Sequence, residues 1–117
     1  AGLDYLVPNK RNLTDEQVRL IAIKGGIIGL CFYADFIGKS VEDGFLRAVY
    51  NLLSKGYEDN IAIGSDFDGA KMDSLPQNLS ETTILYKKCI NLFGQKVCDK
   101  LFFTNSYNFY VNVLTNQ

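Results

Sequence analysis

Two short apolar runs, each preceded by a segment with helical character, constrain the fold of this chain more than any other feature. The runs span residues 26–33 (GIIGLCFY) and 61–64 (IAIG), and both contain glycine. A short, continuous apolar run of this kind is typical of a strand that is buried on both faces of a sheet. The order helix, strand, helix, strand with short connections therefore predicts an α/β fold with a parallel sheet.

The segment before the first run carries the local signals of a helix. Thr14 is a favourable N-cap residue and Gln17 follows three residues later, so the two predict a capping box. Gly25 is predicted to end this helix. Its apolar face is predicted from three side chains: Val18, Leu20 and Ile21.

The second unit repeats this arrangement and is followed by helices alone. Ser40 is predicted to cap a helix that ends at Gly56, and the run 61–64 follows it. Three C-terminal helices are predicted over residues 80–92, 95–102 and 105–114. Two strands are too few for a stable parallel sheet. We therefore expect residues 1–117 to form one partial domain whose sheet is completed by other strands.

The distribution of charge limits the possible binding partners, and the cysteines indicate the cellular compartment. Twelve basic and 13 acidic residues leave a formal charge of -1. Like charges are not clustered, so we expect neither a nucleic acid nor a membrane surface as a partner. Three cysteines, Cys31, Cys89 and Cys98, form no CxxC pair. We expect them to be small core side chains in a reducing, cytoplasmic compartment.

The second apolar run ends in two carboxylates, Asp66 and Asp68, followed by Gly69. Ligands and catalytic groups gather at the carboxyl ends of parallel strands. A carboxylate at that position can ligate a metal, act as a general base or attack as a nucleophile. Asp68-Gly69 is also a common turn dipeptide. A calcium loop of the EF-hand type is excluded, because its sixth and twelfth positions would be Lys71 and Gln77 instead of glycine and glutamate.

Residues 63–69 (IGSDFDG) resemble the last-strand motif of the membrane (renal) dipeptidase family, peptidase family M19. Three other stretches, in the family's order, resemble its motifs as well: 10–15 (KRNLTD), 25–33 (GGIIGLCFY) and 107–114 (YNFYVNVL). Two positions depart from the family pattern, since Cys31 stands where asparagine is usual and Tyr107 where glycine is usual. The resemblance covers nearly the whole chain and implies the C-terminal part of a (β/α)8 TIM barrel, with strands seven and eight.

The resemblance also implies roles for individual residues. Asp66 corresponds to the aspartate that takes a proton from the metal-bound water and passes it to the departing amine of a dipeptide. Asp68 is expected to support Asp66. Arg11 corresponds to the arginine that grips the free carboxylate of the substrate, which a planar guanidinium can do with two hydrogen bonds. Tyr33 is expected to line the substrate pocket.

The family uses zinc, usually two ions, but this chain contains no histidine. The resemblance implies that the metal ligands lie in an N-terminal half of the barrel, which this chain would need as a partner. A complete barrel takes about 250 residues. We therefore expect the isolated chain to bind no catalytic zinc, to be inactive, and to form homo-oligomers through its exposed sheet edges.

Two alternatives remain open from the sequence. A phosphatase of the haloacid-dehalogenase type would use Asp66 as its nucleophile, although Ala70 and Lys71 stand where that motif normally continues with threonine. A non-catalytic module would use the same α/β surface for binding or assembly.

Overall fold

The computed structural model describes residues 1–65, 78 and 80–116. Within them the chain forms six α-helices and two β-strands. In chain order these are α1 (Asp15–Ile23), β1 (Ile28–Leu30), α2 (Ala34–Ile37), α3 (Val41–Ser54), β2 (Ile61–Ile63), α4 (Thr82–Phe93), α5 (Gln95–Asp99) and α6 (Asn105–Thr115). A 3-10 turn, Glu58–Asn60, leads into β2, and a π-helical turn, Lys100–Thr104, joins α5 to α6.

The two strands pair in parallel, as the order of elements predicts. Ile28 lies opposite Ile61 and Leu30 lies opposite Ile63. These four side chains belong to the hydrophobic core or pack against it, together with buried side chains of α3 such as Phe45. Because side chains alternate across a strand, the opposite face carries only small side chains: Gly29, Cys31, Ala62 and Gly64.

The local helix signals are confirmed. Thr14 Oγ1 accepts a hydrogen bond from the Gln17 amide at 3.2 Å, and Gln17 Oε1 accepts one from the Thr14 amide at 2.9 Å. Gly25 and Gly56 follow the caps of α1 and α3 with φ angles of 72° and 84°. Such angles cost glycine little, so each helix can turn sharply at its end. Ser40 occupies the N-cap of α3 but makes no side-chain capping hydrogen bond.

The prediction for Leu20 is wrong. Val18 is buried and Ile21 is partly buried, but Leu20 is 44% exposed. Two residues along a helix turn a side chain by about 200°, so Leu20 lies on the face opposite Val18.

The three cysteines are buried and free, as predicted. Burial, with a smaller contribution from neighbouring Cys98, raises the pKa of the Cys89 thiol to about 12.

The apolar run 26–33 is shorter as a strand than its sequence suggests. Only residues 28–30 form β1, although the Phe32 amide still donates to the Ser65 carbonyl at 3.2 Å. The chain then turns into α2, a four-residue helix that the sequence analysis missed. The predicted helix 95–102 is α-helical only to Asp99 and continues as the π-helical turn.

The first residue extends the sheet on the side of β1 away from β2. The amino group of Ala1 donates to the Gly29 carbonyl at 2.8 Å, and the Cys31 amide donates to the Ala1 carbonyl at 3.1 Å. Ala1 thus bonds to Gly29 and Cys31, the residues before and after Leu30, and this is the hydrogen-bond pattern of a parallel pair of strands.

Among the described residues, no helix is long and apolar enough to cross a bilayer.

Candidate active site

A cleft lies at the carboxyl ends of the two strands. It has a volume of about 340 Å³, and the described residues that line it are Ala1, Arg11, Cys31, Phe36 and Gly64. Cys31 directly follows β1 and Gly64 directly follows β2, and both belong to the small-residue face of the sheet. This is the position at which sites form in parallel α/β folds. The small side chains leave room for a ligand beside the sheet.

Arg11, the predicted substrate-binding residue, lines this cleft. Its Cζ atom is 5.6 Å from the centroid of the Phe36 ring, which is within the range of a cation–π contact. Among residues 1–65, 78 and 80–116, no carboxylate forms an ion pair with Arg11. The guanidinium brings a positive charge and a fork of N–H donors to this part of the cleft.

Tyr33 contacts Phe36, one of the residues that line the cleft. Its ring contacts Phe36 edge to face, with the centroids 4.9 Å apart and the planes at 87°. Its hydroxyl donates to Asp35 Oδ2 at 2.7 Å. Tyr33 therefore reaches the cleft through Phe36, and its expected role in lining the pocket stays a prediction.

Asp66 and Asp68, the predicted catalytic and supporting carboxylates, lie outside the described residues. Ser65, which precedes Asp66 in the sequence, accepts the hydrogen bond from Phe32 that continues the strand pairing beyond β1. The chain is thus described up to the residue before Asp66.

The residues that the structure describes do not by themselves form a zinc site. Among those that the structure describes, no three His, Cys, Asp or Glu side chains meet in a group that could hold a metal ion. Zinc in proteins is held by three or four such ligands.

Two residues of the site were missed by the sequence analysis. Phe36 lines the cleft and contacts Arg11, and Asn12 is buried beside them with 5% of its surface exposed. The sequence contains only weak indications that these two residues belong to the site. Phe36 follows Tyr33 by three residues, the spacing of neighbours on a helix, and Asn12 is a polar residue within an otherwise ordinary loop motif.

Comparisons with known proteins agree on one family. Residues 1–105 match the model of the membrane dipeptidase family, peptidase family M19. A Klebsiella pneumoniae protein from the pqqA 5′ region is 35% identical over 86% of this chain, and the match covers 40% of that protein. The Aspergillus terreus dipeptidase ataJ is 33% identical over 81% of this chain and is covered over 24% of its length.

Solved structures give the same result. A crystal structure of dipeptidase AC, a metallo peptidase of family M19, superposes on 92% of this chain with a TM-score of 0.84 and 26% identity, and the chain covers 34% of it. A Rhodobacter sphaeroides metallo peptidase bound to a phosphinate mimic of the dipeptide L-Ala-D-Ala matches with a TM-score of 0.81 and 26% identity, and is covered over 33%. The chain therefore spans between a quarter and two fifths of the length of these four relatives.

Proposed function

The chain belongs to the membrane dipeptidase family, peptidase family M19, and on that basis we propose that it is the C-terminal part of a zinc-dependent dipeptidase. It would supply strands seven and eight of a (β/α)8 barrel, with β1 and β2 in those two positions. The relatives' greater length and the parallel contact of Ala1 with β1 support a sheet that continues beyond β1. We favour a dipeptidase over the phosphatase alternative because the matched family is one of peptidases.

The observation that carries the proposal is the position of Arg11 in a cleft at the strand ends. A dipeptide has a free carboxylate, and a guanidinium binds a carboxylate through two charge-assisted hydrogen bonds. We assign Arg11 to this carboxylate. The cleft beside the small side chains of Cys31 and Gly64 would then hold the body of the substrate.

Asp66 is the proposed catalytic residue. It would accept a proton from the attacking water as general base and return that proton to the departing amine as general acid. Asp68 would orient Asp66, and its negative charge would raise the pKa of Asp66 and so favour proton transfer near neutral pH. Tyr33 would border the substrate pocket.

Zinc and its ligands belong, in this proposal, to the N-terminal part of the barrel. The isolated chain would then bind no catalytic zinc and hydrolyse no peptide. It would also associate with itself, because the sheet edges that the rest of the barrel would cover would be left without that cover.

The test is the kinetics of the whole enzyme of which the proposal makes this chain a part. Asp66→Asn should lower kcat by about 10²- to 10⁴-fold, the usual loss when a general acid–base group is removed. Arg11→Lys should raise KM by about 10-fold or more, since a lysine cannot form the paired hydrogen bonds. Lys10→Ala, at the neighbouring exposed cation, is the matched control and should change neither constant appreciably.

Two outcomes would contradict the proposal. Asp66→Asn with unchanged kcat would remove Asp66 from the reaction. Hydrolysis of a phosphate monoester that is lost in Asp66→Asn, without any dipeptide hydrolysis in the parent, would favour the phosphatase alternative.

A further inference from the structure

We propose that Phe36 is a positioning residue that holds the Arg11 guanidinium in the orientation needed to receive a substrate carboxylate. The inference rests on the proposed function of Arg11 but concerns a residue to which that function assigns no role. It depends on three features of the structure: the ring contact, the buried amide of Asn12, and the close approach of Gly2 to Phe36.

The contact with the Phe36 ring orients the Arg11 guanidinium and does not use its N–H donors. The Arg11 Cζ atom lies 5.6 Å from the centroid of the Phe36 ring. A cation over an aromatic face is held by the ring's quadrupole, so its N–H groups are not used by this contact. They point outward in the plane of the guanidinium, where a carboxylate can bind to two of them. An arginine without this contact would lose more side-chain entropy when it binds a ligand.

The buried amide of Asn12 fixes the backbone of Phe36 relative to the loop that carries Arg11. Its Nδ2 atom donates to the Phe36 carbonyl at 2.7 Å and to the Val7 carbonyl at 2.9 Å, and its Oδ1 atom accepts from the Gly2 amide at 2.9 Å. Asn12 follows Arg11 directly in the chain. The two residues that form the ring contact are therefore joined by a short, hydrogen-bonded connection.

Gly2 shows how closely these segments pack. A Cβ atom at Gly2 would lie 1.9 Å from the Phe36 carbonyl oxygen and 3.0 Å from Asn12 Nδ2. The backbone at α2 thus has no room to move towards the N-terminal segment. The Phe36 ring contacts Tyr33, at a centroid distance of 4.9 Å. The Phe36 backbone is thus held by Gly2 and Asn12 and its ring by Tyr33, and Arg11 lies over this ring at the cleft.

Phe36 can be changed without removing this framework. Asn12 bonds to the Phe36 backbone and not to its side chain, and Phe36 is not among the residues of the hydrophobic core. Phe36→Leu should keep the fold and the Asn12 hydrogen bonds while removing the aromatic face. Phe36→Tyr keeps the aromatic face and is the conservative variant. Tyr107→Leu, an exposed aromatic residue on α6, is the matched control for loss of a ring.

The first measurement is made on residues 1–117 and needs no activity. In a ¹H–¹⁵N spectrum, the Arg11 side-chain Hε resonance should be shifted upfield by the Phe36 ring. Phe36→Leu should abolish this shift, whereas Phe36→Tyr and Tyr107→Leu should retain it. An Arg11 Hε shift that is the same in the parent and in Phe36→Leu would overturn the proposal, whatever the activity of the enzyme.

The second measurement is made on the whole enzyme with two substrates, a dipeptide and the same dipeptide as its C-terminal amide. Phe36→Leu should raise KM for the free acid by about two- to thirty-fold, the range of a cation–π contact, with little change in kcat. KM for the amide should stay unchanged, because the amide has no carboxylate for Arg11. Phe36→Tyr should restore the parent KM.

The two measurements separate the inference from the function on which it rests. Equal losses with the acid and the amide would mean general structural damage and would overturn the positioning role. An enzyme that hydrolyses no dipeptide would refute the proposed function, while the Arg11 resonance would still decide whether Phe36 holds the guanidinium.

Discussion

Replacing Asn105 with alanine should destabilise the chain by about 2–4 kcal/mol. Asn105 begins α6 and is buried, with 6% of its surface exposed. Its Nδ2 atom donates to the Glu58 carbonyl at 2.8 Å and to the Ile61 carbonyl at 2.9 Å. These two carbonyls lie at the start of the 3-10 turn and at the start of β2. Asn105 therefore fixes the beginning of β2 against the C-terminal helix.

The magnitude follows from the two hydrogen bonds. The bond to the part-buried Glu58 carbonyl contributes about 1 kcal/mol net, and leaving the buried Ile61 carbonyl without its donor costs about 1–3 kcal/mol. Asn105→Asp should be at least as damaging, since an ionised carboxylate has no donor for either carbonyl. With a urea m value of about 1.5 kcal/mol/M, the midpoint of unfolding should fall by about 1.3–2.7 M.

The assay is urea unfolding of residues 1–117, followed by circular dichroism at several protein concentrations. Asn91→Ala, an exposed asparagine on α4, is the matched control and should change the free energy of unfolding by less than about 0.5 kcal/mol. A midpoint for Asn105→Ala equal to that of the control would refute the idea that this amide holds β2 in place.

Three further predictions concern packing, thiols and assembly. Gly44→Ala should lower the melting temperature by about 10 °C or more, because its Cβ atom would lie 1.9 Å from the Ile37 carbonyl oxygen; an unchanged melting curve would contradict this. A thiol in the unfolded chain ionises near pH 8.5, whereas the folded-state pKa of Cys89 is about 12. The contribution of Cys89 to the free energy of unfolding should therefore be complete below about pH 8 and fall as the pH rises towards 12. Cys89→Ala should show a weaker decline, and equal slopes would exclude this cause. Residues 1–117 should sediment as oligomers, because α6 and the turn before it expose large apolar side chains such as Phe103, Tyr110 and Leu114; a monodisperse monomer with a cooperative melt would rule this out.

The elements that the sequence predicts well depend on neighbouring residues. Thr14 and Gln17 are three positions apart and form the expected capping box, and Gly25 ends the same helix. The two strands are apolar throughout, so their identity and parallel order follow from composition and connection length. The helix α2 has only four residues, which is too short for any periodic pattern to reveal.

The features of the candidate site are likewise of two kinds, those marked by local sequence motifs and those that depend on contacts between distant residues. Arg11 and the strand ends are marked by local motifs, and the structure brings Arg11 to the cleft between them. The contact between Arg11 and Phe36 joins residues 25 positions apart, and the Asn12 hydrogen bond to Phe36 spans 24 positions. Contacts of this kind are set by how the N-terminal loop packs on α2, and no short window of sequence contains that information. Asp66 and Asp68 lie outside the described residues, so their roles stay predictions.

The most direct test of the central claim is to measure hydrolysis of a panel of dipeptides with added Zn²⁺, by residues 1–117 alone and by the whole enzyme, in the same assay. We predict turnover by the whole enzyme and none by residues 1–117, since this chain would supply the substrate-binding arginine and the proton-transferring aspartate but not the metal ligands. Zinc-dependent turnover by residues 1–117 alone would contradict that division of the site.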